Sequence, residues 1–326
     1  MVLETTTPAL VPRLTAAAAA CLLLTACGGG GESAPESKED QPILTEKSVT
    51  EAWKSYDERN NAAMPKAGPP TYDGMAYATA DIGPLLEQDV VLAQVDEDAK
   101  DKEVSKPITH TPRELYAPVT GAGFALSSQT ASSYPKDVSL SSLVRDDEVW
   151  KQEMDPYLDK GVKLPEPLAP GKESTASNAD VKRVRGVIDG VATYWETLRK
   201  PKGVDLGYAT NFYFAKDLQI SRAGKLSADV TIDVDGVFRT SEELGEALRV
   251  VRVRDGLLAL VCLEVRSRLV VNKPNYFINN NGLAAKVFGK GKRRKENQNW
   301  DATLAITVPD DGPARVIGNS LIPVKK

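Results

Sequence analysis

Two stretches in the first third of the chain repeat apolar residues at helical spacing. Ser48–Glu51 has the pattern of a capping box, and apolar residues recur at steps of three and four over 49–64, so the spacing predicts a helix that ends before Pro65. Asp81 is placed to cap a second helix, because apolar residues over 82–93 fall on one helical face. The folded part of the chain is therefore predicted to begin with two amphipathic helices.

The rest of the chain changes from helical to strand periodicity. Apolar residues over 181–198 predict a further amphipathic helix. Ala247–Arg254 and Leu257–Val271 then flank Asp255-Gly256, a dipeptide typical of two-residue hairpin turns. Further strands are predicted at 119–127, 138–144, 150–157, 300–308 and 314–322, and an irregular segment at 107–118.

A stretch rich in Pro, Gly and Ser at 161–178 separates the earlier elements from the later ones. The chain has 326 residues, which is enough for about two domains. We therefore predict an α+β fold with an N-terminal domain at 47–165, a linker at 166–178 and a C-terminal domain at 179–326. Each domain is expected to pack a helix on a curved antiparallel sheet.

The N-terminus contains a short apolar run, 14–26, that follows a single basic residue, Arg13. A run of this length is typical of a secretory signal peptide and is too short to span a bilayer stably. It ends in Leu24-Thr25-Ala26-Cys27, which resembles the lipobox of bacterial lipoproteins. The resemblance implies that 1–26 is removed by cleavage after Ala26. The Cys27 thiol would then carry diacylglycerol, and its new α-amine a fatty acid such as palmitate.

Two alternatives to this interpretation are an ordinary signal peptide with a chance cysteine and a short buried apolar segment. The residues after Cys27 favour the lipoprotein interpretation, because 27–46 is rich in Gly, Ser, Glu and Pro and has almost nothing to bury. Gly28–Leu44 has 17 residues, and a flexible chain of this length spans about 20–25 Å. We expect a lipid-anchored protein on the extracytoplasmic face of the cell membrane, with a flexible tether before the folded body.

Composition excludes several classes of protein. Hydrophobic residues make up 41% of the chain and charged residues 26%, but no run of about 18–20 apolar residues occurs, which excludes a polytopic membrane protein. One histidine and three cysteines exclude a His-rich metal cage and a disulfide scaffold. Cys21 would leave with the signal and Cys27 would carry lipid, so Cys262 remains as a small buried residue. No cofactor is predicted.

Charge is distributed unevenly along the chain. Residues 28–175 hold 15 basic and 27 acidic side chains, whereas 176–326 hold 25 basic and 17 acidic ones. Two oppositely charged domains that dock on each other would explain this, and so would a basic half that faces anionic headgroups or wall polymer. The basic residues are densest in Lys286–Lys295, with six in ten residues. This segment is either a solvated loop or a membrane-surface contact made by Lys290, Lys292, Arg293, Arg294 and Lys295. Nucleic acid is not expected outside the cell.

Several short motifs in 45–326 resemble a family of uncharacterised lipoproteins from high-GC Gram-positive bacteria, described only as a domain of unknown function. The motifs are Trp53 with Asn60-Asn61-Ala62, Ile82–Glu87, Trp150-Lys151 with Asp155-Pro156, and Leu164-Pro165 with Gly171. The order of helix and then curved antiparallel sheet also resembles the cones of the nuclear-transport-factor and cystatin-like folds, here in tandem. The resemblance implies no activity, and no Asp–His dyad of the enzymatic cone families can be placed.

Candidate catalytic and metal sites are few. His110, the one histidine, lies in a Pro-flanked segment and is expected to be a solvated loop residue, which argues against a Ser/His/Asp triad and a His-based zinc site. Thr231–Glu242 partly fits a calcium loop, but Thr231 replaces the first carboxylate and Arg239 adds a cation, so a strand-to-strand turn at Asp235-Gly236 is the simpler interpretation.

These observations favour a binding or scaffolding module of the cell envelope without an identifiable catalytic centre. The alternative is an envelope hydrolase that uses paired carboxylates, which would need two Asp or Glu side chains in one cleft. The sequence nominates no such pair, because many of its carboxylates are expected on the surface.

Overall fold

The computed structural model describes residues 44–100, 105–118, 123–168, 172, 174–280, 282–289 and 291–325. The predicted signal peptide, the cleavage position after Ala26 and the lipid attachment at Cys27 lie outside these residues. Within them the chain combines helices with a large antiparallel sheet, which confirms the predicted α+β class.

The described residues form five α-helices and thirteen strands. The helices are α1 (Glu46–Ala67), α2 (Gly83–Ala99), α3 (Asn178–Thr197), α4 (Tyr213–Arg222) and α5 (Gly282–Phe288), with 3₁₀ helices at Gly74–Thr79 and Gly207–Asn211. The strands are β1 (His110–Tyr116), β2 (Phe124–Ala131), β3 (Tyr134–Asp146), β4 (Val149–Met154), β5 (Tyr157–Leu158), β6 (Val204–Asp205), β7 (Ala228–Val237), β8 (Arg239–Ser241), β9 (Gly245–Glu246), β10 (Leu248–Val253), β11 (Gly256–Val271), β12 (Lys295–Pro309) and β13 (Ala314–Val324).

The three predicted helices are present, but the ends of the first two differ from the prediction. α1 is capped by Thr45, whose side chain and backbone exchange hydrogen bonds with Ser48, and it continues past Pro65 to Ala67. α2 follows Ile82 instead of a capping Asp81. The Asp81 backbone forms a bridge with Gln152 of β4, and the Asp81 side chain is buried.

Eleven strands join in one sheet, in which β5 pairs with both β3 and β13. We call β1–β4 the first half-sheet, and β7 with β10–β13 the second half-sheet. The predicted hairpin at Asp255-Gly256 is confirmed, because Val253 of β10 pairs with Gly256 of β11. Two predictions were wrong: the segment at 107–118 contains strand β1, and Asp235-Gly236 is a bulge inside β7 instead of a turn between strands.

The two half-sheets pack face to face, and helices cover their outer faces. In β11, Leu257 and Ala259 face α3 and α4, whereas Leu258 and Leu260 face Leu126 of the first half-sheet. Cys262 is buried in the same interface between the half-sheets. β11 is almost continuously hydrophobic because both of its faces are buried.

Helix α1 covers the outer face of the first half-sheet, where Trp53 and Tyr56 pack with Ala125 and Leu143. Much of this face is polar beneath the helices. Trp53 donates its indole hydrogen to the Ser127 hydroxyl at 3.1 Å, and the Ser141 hydroxyl donates to Asp155 at 2.7 Å. The side chains under α1 are therefore positioned by hydrogen bonds as well as by apolar packing.

The described residues, from 44 to 325, belong to one compact unit. The segment predicted as a linker, 166–178, is attached to the edge of the second half-sheet: Thr175 bridges to Val251, and the Arg252 amide donates to the Ser174 carbonyl at 2.8 Å. The sheet thus runs across the predicted boundary, and the division into domains at 47–165 and 179–326 stays a prediction.

Candidate functional site

The basic segment predicted to contact a membrane lies between α5 and β12. Lys292, Arg294 and Lys295 are exposed, and Lys290 lies outside the described residues. Arg293 differs from these, because its guanidinium pairs with buried Glu296 at 2.9 Å and also donates to the Phe288 carbonyl. Arg293 therefore fixes the base of the segment. The Arg294 guanidinium, although exposed, also donates to the Val271 carbonyl at 3.5 Å.

His110 is the largest departure from the sequence-based expectation, since it is not a solvated loop residue. Its Nδ1 lies 2.5 Å from Asp57 Oδ1, and its backbone amide donates to Asp57 Oδ2 at 2.9 Å. The imidazole stacks on Trp53, with ring centroids 4.9 Å apart, and 8% of the side chain is exposed. Asn61 also binds the backbone of Ile108, which fixes the start of β1 against α1.

A carboxylate that binds one imidazole nitrogen is the orienting element of many acid–base sites. Here Asp57 accepts hydrogen bonds from both the ring and the backbone of His110, and no described residue hydrogen-bonds to Nε2. The pair lacks a described Ser, Thr or Cys side chain bound to Nε2 that could act as a nucleophile. The pair therefore joins α1 to β1, and no described residue hydrogen-bonds to Nε2.

A second pair of titratable groups lies nearby, where the chain enters α2. The Tyr56 hydroxyl donates to Asp81 at 2.9 Å. Burial and the negative charge of Asp89 hold the pKa of Asp81 well above its usual range, and burial raises the pKa of Asp89 to about 7. Asp89 therefore holds a proton below about pH 7 in the folded chain.

This carboxyl pair does not have the geometry that the predicted hydrolase alternative needs. Glycoside hydrolases separate their two carboxyls by about 5–9.5 Å so that a sugar and often a water fit between them. Asp81 is only 1% exposed. A substrate therefore cannot reach the Asp81 carboxyl.

The described residues contain no group of three or more His, Cys, Asp or Glu side chains arranged to hold a metal ion. The partial calcium pattern at Thr231–Glu242 falls on β7, β8 and the turn that follows, and Asp235 forms an ion pair with Arg266 at 2.8 Å. Its carboxylates are spread along extended strands, which does not produce the compact loop that a calcium ion requires.

An open groove of about 860 Å³ lies between the start of α1 and β1. We call it the edge groove, because β1 is the last strand of the sheet path and pairs only with β2. Its volume is in the range of ligand sites, roughly 300–1,000 Å³. It is lined by residues from three distant segments, including Val49, Arg113, Leu115, Leu168, Lys172 and Ser174.

Sequence patterns could not identify the edge groove or the Asp57–His110 pair, because each combines residues that are far apart in the chain. In the part of the chain that the structure describes, no helix is long and apolar enough to cross a membrane. No protein-family model matches the chain, and no curated protein matches it either.

Proposed function

We propose that this chain is a lipid-anchored protein of the extracytoplasmic membrane face, in which Cys27 carries the lipid and the compact body binds a ligand or partner. The observation that carries the proposal is the order of parts: a lipobox-like Leu24–Cys27, then a polar stretch, then described residues that belong to one compact unit. The motif resemblance to uncharacterised lipoproteins of high-GC Gram-positive bacteria supports the same proposal.

The anchor is tested by Cys27→Ser in the full chain, with Cys21→Ser as the matched control six residues upstream. Intact mass should show lipid on the parent chain and on the Cys21→Ser chain, and both should partition with membranes. The Cys27→Ser chain should keep its signal segment and carry no lipid. An unprocessed parent chain, or Cys27→Ser fractionating as a processed lipidated chain, would refute the anchor.

The binding role is supported by the edge groove, since its volume is in the range of ligand sites and its lining has four basic side chains beside two acidic ones. Lys47 and Lys172 are exposed in this lining. We expect envelope material that co-purifies with the anchored protein to be lost from a Lys47→Glu/Lys172→Glu chain and retained by Lys200→Glu/Lys202→Glu, which changes two exposed lysines that do not line this groove. Equal recovery from both chains would argue against this groove as the binding site.

We further propose that the fold is a tandem of two cone-like units that have fused along one sheet. In the first, α1 packs on β2 and β3; in the second, α3 and α4 pack on β7 and β10–β13. The short strand β5 joins the two. An unfolding experiment that follows each half-sheet separately tests how independent the two units are.

A further inference from the structure

Two aromatic side chains are exposed beside the basic segment. Tyr276 is 55% exposed and Phe277 is 44% exposed, and both lie in the loop between β11 and α5. The Lys292 ammonium lies 5.4 Å from the centroid of the Phe277 ring. A ring and a cation are therefore presented together at the surface, which is the composition of membrane-interface sites.

The aromatic loop and the basic segment are held together by hydrogen bonds. The Ile278 amide donates to the Arg293 carbonyl at 2.8 Å, and Asn280 donates to Glu296 at 2.7 Å. Arg293 pairs with the same Glu296, so the one buried carboxylate here is neutralised inside the structure. These contacts hold the chain that directly follows the two rings against the basic segment.

Further cations lie at the same end of the second half-sheet. The Asn272 amide donates to the Ser227 carbonyl at 3.1 Å, which brings the turn between α4 and β7 beside the aromatic loop. Exposed acids also lie nearby: Asp229 accepts a hydrogen bond from Asn272, and α2, which packs on α5, carries Glu97 and Asp98. The exposed basic residues of these segments are Arg222, Lys225, Lys273, Lys286, Lys292, Arg294 and Lys295.

We propose that this aromatic–basic end, defined by Tyr276, Phe277, Lys292, Arg294 and Lys295, docks on an anionic lipid bilayer with the two rings in the headgroup layer. The proposal rests on the proposed function, because only an extracytoplasmic, membrane-anchored body is held next to that surface. The 17 residues of the tether can extend to about 55–60 Å, which permits the body to turn this end toward the membrane.

An anionic bilayer fits this end better than a soluble polyanion does. Both would attract the cations, but only a bilayer interface offers an apolar layer for Tyr276 and Phe277 to enter. A protein that is held by one lipid anchor alone can rotate on its tether. A second contact of this kind fixes which face of the body points away from the membrane. The edge groove would then have a defined orientation.

The test uses unlipidated chain 28–326, which retains the whole compact unit, with phosphatidylcholine vesicles that contain or lack phosphatidylglycerol. Changing Lys292, Arg294 and Lys295 to Ser should lower the partition coefficient on anionic vesicles about a hundredfold at low salt. Tyr276→Ser/Phe277→Ser should lower it about tenfold, because the rings lose their apolar contact. Circular dichroism of each variant establishes that these surface changes leave the fold intact.

The matched control is Arg199→Ser/Lys200→Ser/Lys202→Ser. These three exposed cations precede the Gly203 carbonyl that binds Ala314, where β13 begins, and so lie at the opposite end of the second half-sheet. This chain has the same net charge as the basic-segment variant and should bind anionic vesicles nearly as the parent does.

A Phe277→Trp chain should show a blue-shifted emission with anionic vesicles and quenching by brominated lipid.

Absence of binding to anionic vesicles would overturn the proposal, and so would equal losses from the control and the basic-segment variant. Unchanged binding after removal of both rings would also overturn it and would indicate a purely electrostatic contact, as expected for a soluble polyanion. Because the chain tested carries no lipid, these outcomes are independent of the Cys27→Ser result. A failed anchor and a failed docking surface are therefore distinguishable.

Discussion

At the scale of single residues, the Asp57–His110 pair is the contact that most directly fixes α1 on the first half-sheet. Asp57 accepts two hydrogen bonds from His110, and the imidazole covers the face of Trp53. Both side chains are largely buried, so neither solvent nor salt screens the contact strongly. Removing the ring leaves Asp57 with one partner and opens a space beside Trp53.

We therefore expect His110→Ala to lower the free energy of unfolding by roughly 2–3 kcal/mol. His110→Gln, which can still donate a hydrogen bond but cannot stack, should cost less. Urea titration followed by tryptophan fluorescence measures both values, because Trp53 is one of the reporters. An unchanged midpoint for His110→Ala would show that the pair does not stabilise the fold.

The carboxyl pair Asp81–Asp89 predicts a particular pH dependence of stability. The folded pKa values are raised above those of the unfolded chain, so the native state holds protons that the unfolded state releases. The stabilisation is fully present below about pH 4 and is lost as the pH rises through about 7. Stability should fall with increasing pH across this range.

Asp89→Asn removes the titrating group and keeps its shape. The decrease in stability between about pH 4 and 8 should become smaller by roughly 2–4 kcal/mol in this variant. Glu97→Gln is the matched control, because Glu97 is an exposed carboxylate on the same helix, and its profile should follow that of the parent. If stability fell equally steeply with pH in Asp89→Asn and in the parent chain, Asp89 would not hold a proton in the folded state.

At the scale of secondary structure elements, local signals were sufficient where neighbours in the sequence set the geometry. The hairpin at Asp255-Gly256 needs only a turn that accepts a positive φ, and Gly256 has φ 147°. Helix α3 was predicted for a similar reason, since one apolar face of the helix is enough to define it. In both cases the interactions that decide the structure are close in the chain.

Elements and sites that depend on distant partners could not be predicted in this way. Strand β1 contains Pro112 and little alternation. Asp57 of α1 binds its first residue, His110, and Asn61 of α1 binds Ile108 just before it, and no local pattern indicates these contacts. His110 was expected in solvent because its partner, Asp57, is 53 residues away. The exposure of Phe277 likewise depends on how separate segments meet at the end of the second half-sheet.

The structure predicts opposite effects of alanine at two glycines that the sequence does not distinguish. A Cβ at position 256 would overlap the Val308 carbonyl and would require a disfavoured φ, whereas a Cβ on Gly186 of α3 meets open space. Gly256→Ala should therefore lower the free energy of unfolding by roughly 2–4 kcal/mol. Gly186→Ala should raise it by about 0.5–1 kcal/mol, since alanine favours the helix.

Thermal denaturation of the two variants beside the parent shows whether each substitution raises or lowers the stability. If Gly256→Ala were as stable as the parent, the tight turn between β10 and β11 would not be under the steric restriction that the structure shows. If Gly186→Ala were destabilised, the exposed face of α3 would have to make contacts that the described residues do not show.

At the scale of the whole molecule, the question is whether the two half-sheets behave as separate domains. They share the sheet through β5, and Leu126 and Leu140 of one pack on Leu258 and Leu260 of the other. A buried ion pair also joins them: Glu153 of β4 lies 2.6 Å from Arg249 of β10, and Glu153 is completely buried.

Separation of the two half-sheets would expose this apolar interface and leave a buried carboxylate without its cation. Breaking one buried ion pair by removal of a partner costs about 3–5 kcal/mol, which is comparable to a large part of a domain's stability. Neither half-sheet should therefore be stable once the other has unfolded, even though each has its own covering helix.

We accordingly expect a single unfolding transition. Trp53 and Trp150 report on the first half-sheet, and Trp195 and Trp300 report on the second, so a chain with either pair changed to Phe isolates one signal. Urea midpoints measured with the two chains, each corrected by the circular dichroism of the same sample, should coincide. Two transitions with different midpoints would instead establish the independent domains at 47–165 and 179–326 that the sequence predicts. In that case Arg249→Met should separate the midpoints further, because it removes the cation that binds Glu153 across the interface.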